Sequence, residues 1–267
     1  MDPFLPWVSC VAKPLLLSSG KRELEVDPPV MNAAGTLGWH NEADGWLELR
    51  HLGAFITNPL SHHRRSPAAN AGVAETAGGF VLHSGLPNPG LTAGLRKPPP
   101  ANPPLPRIVH LIGDPAELET MILETEAHEH VAAIEIGLER PGPALLQVVG
   151  RLSQSAELPV VVCLGLDEPD DLFLEAAEAG CRALSFGPAH GRVARPEGPF
   201  GGRLYGPAML PLMLAKLARL RAYVSLPLIA AGGIGDRQSA HAMLDAGADG
   251  IQLDFILWLD PSAVLPL

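Results

Sequence analysis

Along the chain, short apolar runs alternate with longer segments in which apolar positions recur every three to four residues. The runs fall at residues 29–32, 54–58, 108–112, 133–136, 160–164, 183–186, 228–231 and 250–253. They show little polar alternation and end in Gly, Asn or another polar residue, the pattern of parallel strands covered on both faces. The intervening periodicity predicts helices over 42–52, 115–129, 144–154, 170–179, 207–220 and 236–246. Asp114 before Pro115 reads as a helix N-cap followed by proline at the first helical position. Gly180 and Gly247 fall just beyond helical segments, where a left-handed residue commonly ends the helix. A strand-then-helix rhythm repeated around eight times predicts a (β/α)8 barrel occupying residues 1–267 as one domain.

Two segments break the rhythm. Residues 95–107 read LRKPPPANPPLPR, a polyproline-like connector that cannot be helical. After the last strand only residues 255–267 remain, with Pro261 and Pro266 among them. A closing helix of the usual ~11 residues does not fit there, so the barrel is expected to lack a full C-terminal outer helix. An eighth strand without that cover would leave an apolar strip around Phe255, Ile256, Leu257, Trp258 and Leu259. Such a strip predicts a partner subunit or a second copy anchored at Trp258, with a folded-back tail as the alternative.

Composition narrows the classes. The chain has 267 residues, 47% of them hydrophobic, enough for a large buried core. Nineteen Lys+Arg against 29 Asp+Glu leave a formal charge of -10, which argues against a nucleic-acid binder. Cys10, Cys163 and Cys181 are too widely spaced for a disulfide framework or a metal knuckle. Neither a basic N-terminal leader nor an apolar run of ~18 residues is apparent, so a cytoplasmic protein without a transmembrane segment is expected.

Several motifs then stand in one order: PVMNAAGTLG at 29–38, GAFIT at 53–57, GLPNPG at 85–90, GPAMLP at 206–211, and AAGGIGD followed by AGADGIQL within 228–253. Together they resemble the class 1 dihydroorotate dehydrogenases, and the resemblance runs from about residue 23 to residue 262. It implies an FMN-dependent barrel that oxidises dihydroorotate in pyrimidine biosynthesis. It also implies that most of that chemistry is substituted here. The family's flavin- and substrate-contacting lysine falls on Asn58, its substrate asparagine on Leu82, and its fifth-strand lysine on Cys163. The general-base position falls on Arg140, within GLERPG at 137–142, and a guanidinium cannot take up a proton at ordinary pH. The sixth-strand polar pair becomes Gly187-Pro188, and the pair closing on the flavin phosphate becomes Asp254-Phe255. Gly35, Gly232 and Gly233 persist as weak candidates for holding a cofactor.

Other residues carry their own chemistry. Glu135, at the end of the fourth barrel strand, is a candidate base with a raised pKa or a structural hydrogen-bonding group. Gly232-Gly233 reads as a phosphate cradle or a tight turn. His62, His63, His83, His110 and His190 lack metal-ligand spacing, so no metal is expected. Cys163 lies among valines and reads as an inert thiol. The run HHRR at 62–65 reads as a solvated loop or an anion contact, and Trp39 and Trp46 as packing residues. The favoured expectation is a catalytically degenerate family member acting as a binding or assembly subunit, with no cofactor. The alternatives are a divergent FMN-dependent oxidoreductase, or a phosphate-binding barrel lyase or isomerase.

Overall fold

The computed structural model describes residues 13–39, 49–96, 105–138, 141–265 and 267. The chain opens with β1 (Leu15–Ser18), β2 (Glu23–Val26), β3 (Val30–Asn32), β4 (Phe55–Ile56), β5 (Gly72–Thr76) and β6 (Gly79–His83). Then come α1 (Leu91–Leu95), β7 (Arg107–Ile112), α2 (Pro115–Glu126), β8 (Ala133–Gly137), α3 (Pro143–Ser155), β9 (Val160–Gly165) and α4 (Asp170–Glu178). The last third holds β10 (Leu184–Gly187), β11 (His190–Val193), β12 (Phe200–Tyr205), α5 (Leu210–Arg221), β13 (Leu228–Ala231), α6 (Arg237–Asp245), β14 (Gly250–Leu253) and α7 (Ile256–Leu259).

Eight parallel strands run in the order β3-β14-β13-β10-β9-β8-β7-β4. A bridge between Met31 and Ala54 brings β4 back to β3 and closes the ring. The closure is short of backbone bonds, and Asn32 makes up for it: its amide donates to the Ile56 carbonyl (2.6 Å) and accepts from the Ile56 N–H (2.8 Å). The (β/α)8 barrel expected from the periodicity is therefore the fold.

Alternate residues of each strand point inward. Met31, Ile56, Ile108, Ala133, Val161, Ala183 and Ile229 form an apolar floor, closed from below by Leu15, Leu17, Leu24 and Val26 of the β1–β2 hairpin. That hairpin was not foreseen, although its burial alternates residue by residue. The outward residues, Val109, Ile134, Val162, Leu184 and Ile251 among them, join a larger core beneath the helices.

Some expectations need correction. The helix expected over 42–52 falls mostly outside the described residues, and Leu49–His51 is a single 3-10 turn. The helix begun by Pro115 ends at Glu126 rather than 129, and Asp114 caps it by position without a side-chain hydrogen bond. Asp236 does cap α6, accepting from the Ser239 N–H at 2.7 Å. Gly180 and Gly247 have φ of 95° and 106°, as a left-handed helix end requires. A second sheet, β11-β12-β6-β5, is antiparallel and was not anticipated. The prolines at 98–100 and 103–104 lie outside the described residues.

The end of the chain departs most from expectation. The outer helix is indeed short, α7 having four residues before a 3-10 turn at Pro261–Ala263. The chain's own fold covers only part of the strip, because Trp258 and Leu259 stay exposed, at 37% and 70%. Phe255, Ile256, Leu257, Val264 and Leu265 are buried by the chain's own fold. Trp258 is held along one edge: its indole N–H donates to the Thr36 carbonyl (3.0 Å) and its ring meets Tyr205 edge-on at 5.4 Å. The tail thus folds back over its own barrel through these buried residues and leaves Trp258 and Leu259 at the surface. Among the described residues, no helix is long and apolar enough to cross a membrane.

Candidate functional site

One level above the apolar floor, the same alternation gathers His110 of β7, Glu135 of β8, Cys163 of β9, Ser185 of β10 and Gln252 of β14. Glu135 is 1% exposed and sits at the hub. Its Oε2 lies 2.6 Å from His110 Nδ1, and its Oε1 accepts from Ser185 Oγ and Gln252 Nε2, each at 2.7 Å. Burial alone pushes this carboxyl up. The hydrogen bond and charge of His110, with the bonds from Ser185 and Gln252, outweigh that and hold it below the usual glutamate range. Of the two readings of Glu135, the structural hydrogen-bonding role fits this geometry and the raised pKa does not. Both carboxylate oxygens are engaged, and the group ties four strands together.

Above this layer lies an inner cavity of about 90 Å³. It is bounded by Cys163, Gln252 and Asp254 below and by Leu86, Arg203 and Tyr205 above. That is room for roughly three waters, whereas pockets for drug-sized ligands run to about 300–1,000 Å³. Burial and the Glu135 carboxylate push the Cys163 thiol up to about 12, which makes it a poor nucleophile.

Asp254 is 3% exposed, and its Oδ1 has no hydrogen-bond partner. Burial raises its carboxyl to about 7, against the opposing pull of the Phe255 and Asp254 N–H groups. Near neutrality it is therefore about half ionised, which corrects the picture of a fixed negative charge at the lip. The buried Tyr205 hydroxyl is pushed up by desolvation and by Asp254.

The other candidate positions are scattered or put to structural use. Asn58 accepts the Gly38 N–H at 3.0 Å through its side chain, and its own N–H donates to the Gly38 carbonyl at 2.7 Å. Leu82 lies on β6 and lines a separate outer cavity, while Gly187 and Pro188 line the inner one. Arg140 falls outside the described residues. Gly35 is exposed with φ of 93°. Gly233 has φ of 86°, and a Cβ there would stand 2.2 Å from the Leu210 N. The approach of α5 therefore accounts for Gly233 on packing grounds. Gly232 is buried with φ of 101°, and a Cβ there would meet the Met209 Cβ in ordinary contact at 3.8 Å, so its backbone conformation rather than packing asks for glycine.

The histidines do not converge. His110 serves Glu135, His190 Nδ1 lies 3.0 Å from Asp167, and His83 packs edge-on to Phe200. Only His62 and His63 come close, with ring centres 4.5 Å apart, and with Glu117 they form the one metal-capable trio among the described residues. His62 Nε2 is 3.4 Å from Glu124. Gln252, Arg203 and Tyr205 were missed. The two-residue period of β14 already placed Gln252 level with Glu135, whereas the two β12 residues belong to a sheet the periodicity did not reveal.

No family model matches the chain. It is 30% identical over 264 residues to the dihydroorotate dehydrogenase B (NAD(+)) catalytic subunit of Pelobacter propionicus, covering 90% of this chain and 87% of that protein. The catalytic subunit of the same name from Citrifermentans bemidjiense is 31% identical over 259 residues, covering 88% and 85%. Among solved structures, the dihydroorotate dehydrogenase of Eimeria tenella in complex with ferulenol superposes with a TM-score of 0.67 at 16% identity. That likeness spans 94% of this chain and 81% of the other, and it speaks to the fold.

Proposed function

The chain belongs to the dihydroorotate dehydrogenase family, and from that premise we propose that it keeps the family's barrel while having lost its flavin and dihydroorotate chemistry. Its role is then that of a binding or assembly component. The observation that carries this reading is the closed mouth: about 90 Å³ remains between the Glu135 layer and the Leu86–Arg203–Tyr205 roof. A planar tricyclic ring with its ribityl phosphate needs several times that volume.

The side chains around the mouth agree. An FMN phosphate is normally held by backbone N–H groups and cations, and a reduced flavin by a nearby positive charge. Here Asn58 is committed to Gly38, Cys163 is a neutral thiol, and Asp254 supplies a partly ionised acid. The residues present do not fit FMN, and no catalytic step is assigned through it. The rival reading, a divergent FMN-dependent oxidoreductase, draws its support from Gly232, where packing alone does not require a glycine.

Absorbance separates the two. Protein incubated with FMN and desalted is expected to show no flavin band near ~450 nm, the cofactor's own signature. Calorimetric titration with FMN is expected to be flat at micromolar concentrations. A retained band, or binding at micromolar affinity or tighter, would overturn the proposal in favour of its rival.

A further inference from the structure

The loop after β4 carries His62 and His63 and lies against α2, where Glu124 meets His62. We propose that His62, His63 and Glu117 form a binding site for a divalent transition-metal ion of the zinc type. One ligand-capable atom from each of the three lies within 4.8 Å of the others. Two imidazole nitrogens and a carboxylate oxygen are a donor set that zinc takes, with a fourth position left to water. Calcium and magnesium prefer all-oxygen shells, so this set selects against them.

Neighbouring residues in an extended segment point to opposite sides, where two adjacent histidines could not share an ion. The chain bends at residues 62–63 instead and brings both rings to one side, with centres 4.5 Å apart and planes at 36°. Fixed points frame the bend. Leu60 donates to the His110 carbonyl and accepts from the Ile112 N–H, each at 2.9 Å. Arg65 and Asn88 exchange two backbone hydrogen bonds at 3.0 Å, and Ser61 Oγ donates to the His63 carbonyl at 2.8 Å. Glu117 comes from the first turn of α2. A Cβ on Gly113 would stand 3.3 Å from Glu117 Oε2, so that glycine leaves the carboxylate its room. Glu124, two turns further along α2, lies 3.4 Å from His62 Nε2 and orients that ring, as a carboxylate behind a metal-bound histidine commonly does.

Distances decide whether the trio can close on an ion. Zinc bonds of about 2.0–2.2 Å in a tetrahedral set place ligand atoms roughly 3.4 Å apart. The three donors must therefore approach one another by no more than ~1.4 Å, which rotamer adjustments of exposed His63 and half-buried Glu117 supply without moving the backbone. Because the loop is already fixed at both ends of the bend, little ordering entropy opposes binding. The net charge of -10 favours the approach of a cation. A bound ion would join the loop after β4 to α2. None of the four residues stands at a position to which the family resemblance gives a role. The inference therefore goes beyond the reading of the mouth and holds whether or not the mouth takes FMN.

The test is calorimetric titration of the whole chain, free of any polyhistidine tag, with zinc chloride in a non-chelating buffer, with thermal unfolding in parallel. Zinc is expected to bind saturably at micromolar concentrations and to raise the melting temperature, as a ligand of the native state alone must. Magnesium chloride at the same concentrations is expected to do neither. His63→Gln and Glu117→Gln are each expected to keep the zinc-free melting temperature and to weaken zinc binding about tenfold or more, since losing even a group behind a metal ligand costs that much. His241→Gln removes an imidazole from α6, outside the cluster, and is expected to leave binding unchanged. The site would be overturned by a lack of saturable zinc binding, by equal stabilisation with magnesium, or by equal weakening in His241→Gln. Binding that survives either His63→Gln or Glu117→Gln would overturn it as well. An FMN band at ~450 nm would overturn only the reading of the mouth, so the two failures are distinguishable.

Discussion

At the scale of single residues, two buried acids with opposite shifts dominate the barrel interior. Glu135 is held ionised by three donors, so its removal leaves His110, Ser185 and Gln252 without an acceptor in a water-poor layer. Glu135→Ala is expected to cost about 3–5 kcal/mol, read as a lower urea midpoint, because a broken buried pair leaves uncompensated polar groups. Asp254 works the other way. Its folded pKa of about 7 lies above its unfolded value, so the native state binds the proton more tightly and stability falls as pH rises from about 4 to 7. Asp254→Asn is expected to remove that decline and to stabilise the protein at pH 8 by about 2–4 kcal/mol. Urea titrations of both proteins between pH 4 and 8 check the sign, and parallel curves across that range would refute it.

At the scale of elements, the tail and the hairpin each do the work of a missing layer. The tail replaces a full outer helix with buried Phe255, Ile256, Leu257, Val264 and Leu265, and Trp258 anchors it at the mouth. Trp258→Ala loses the bond to Thr36 and the ring contacts with Tyr205 and Phe80, so it is expected to destabilise the protein by roughly 2–4 kcal/mol. If Trp258 chiefly anchored a partner, the variant would instead keep its melting temperature and change its mass by light scattering. The β1–β2 hairpin plugs the barrel floor with Leu15, Leu17, Leu24 and Val26. A chain starting at Asp27 is expected to expose Met31, Ile108 and Val161 and to bind a hydrophobic dye, a readout independent of any ligand.

At the scale of the molecule, the fold and the proposed loss of chemistry are compatible because they rest on different residues. The barrel depends on outward apolar positions and an inward floor, all present. By the sequence resemblance, the family's chemistry depends on a few cations and polar groups at strand ends, positions it assigns to Asn58, Leu82, Cys163 and Asp254. Selection on one set need not preserve the other. Light scattering on the purified protein is the expected first measurement of its assembly state. A mass above that of one chain that is insensitive to Trp258→Ala would point to a surface away from the tail.

The sequence by itself determined the barrel, since eight apolar runs separated by helical periodicity admit few other closed arrangements. It also pointed to Glu135 and Cys163 near the strand ends, and period two along β14 places Gln252 level with them, although that residue was missed. Only the tertiary structure decided what those residues do. Whether Glu135 is raised or lowered depends on three donors from other strands, one of them 117 positions away in the chain. The β11-β12-β6-β5 sheet was equally hidden, because its strands are glycine-rich and half exposed and its two hairpins meet only through the pairing of β12 with β6, Arg203 opposite Leu82, far apart in the chain. The cover that Arg203 and Tyr205 place over the mouth exists only through that pairing. Local pattern records the faces of an element, but the company a side chain keeps is set by which elements meet.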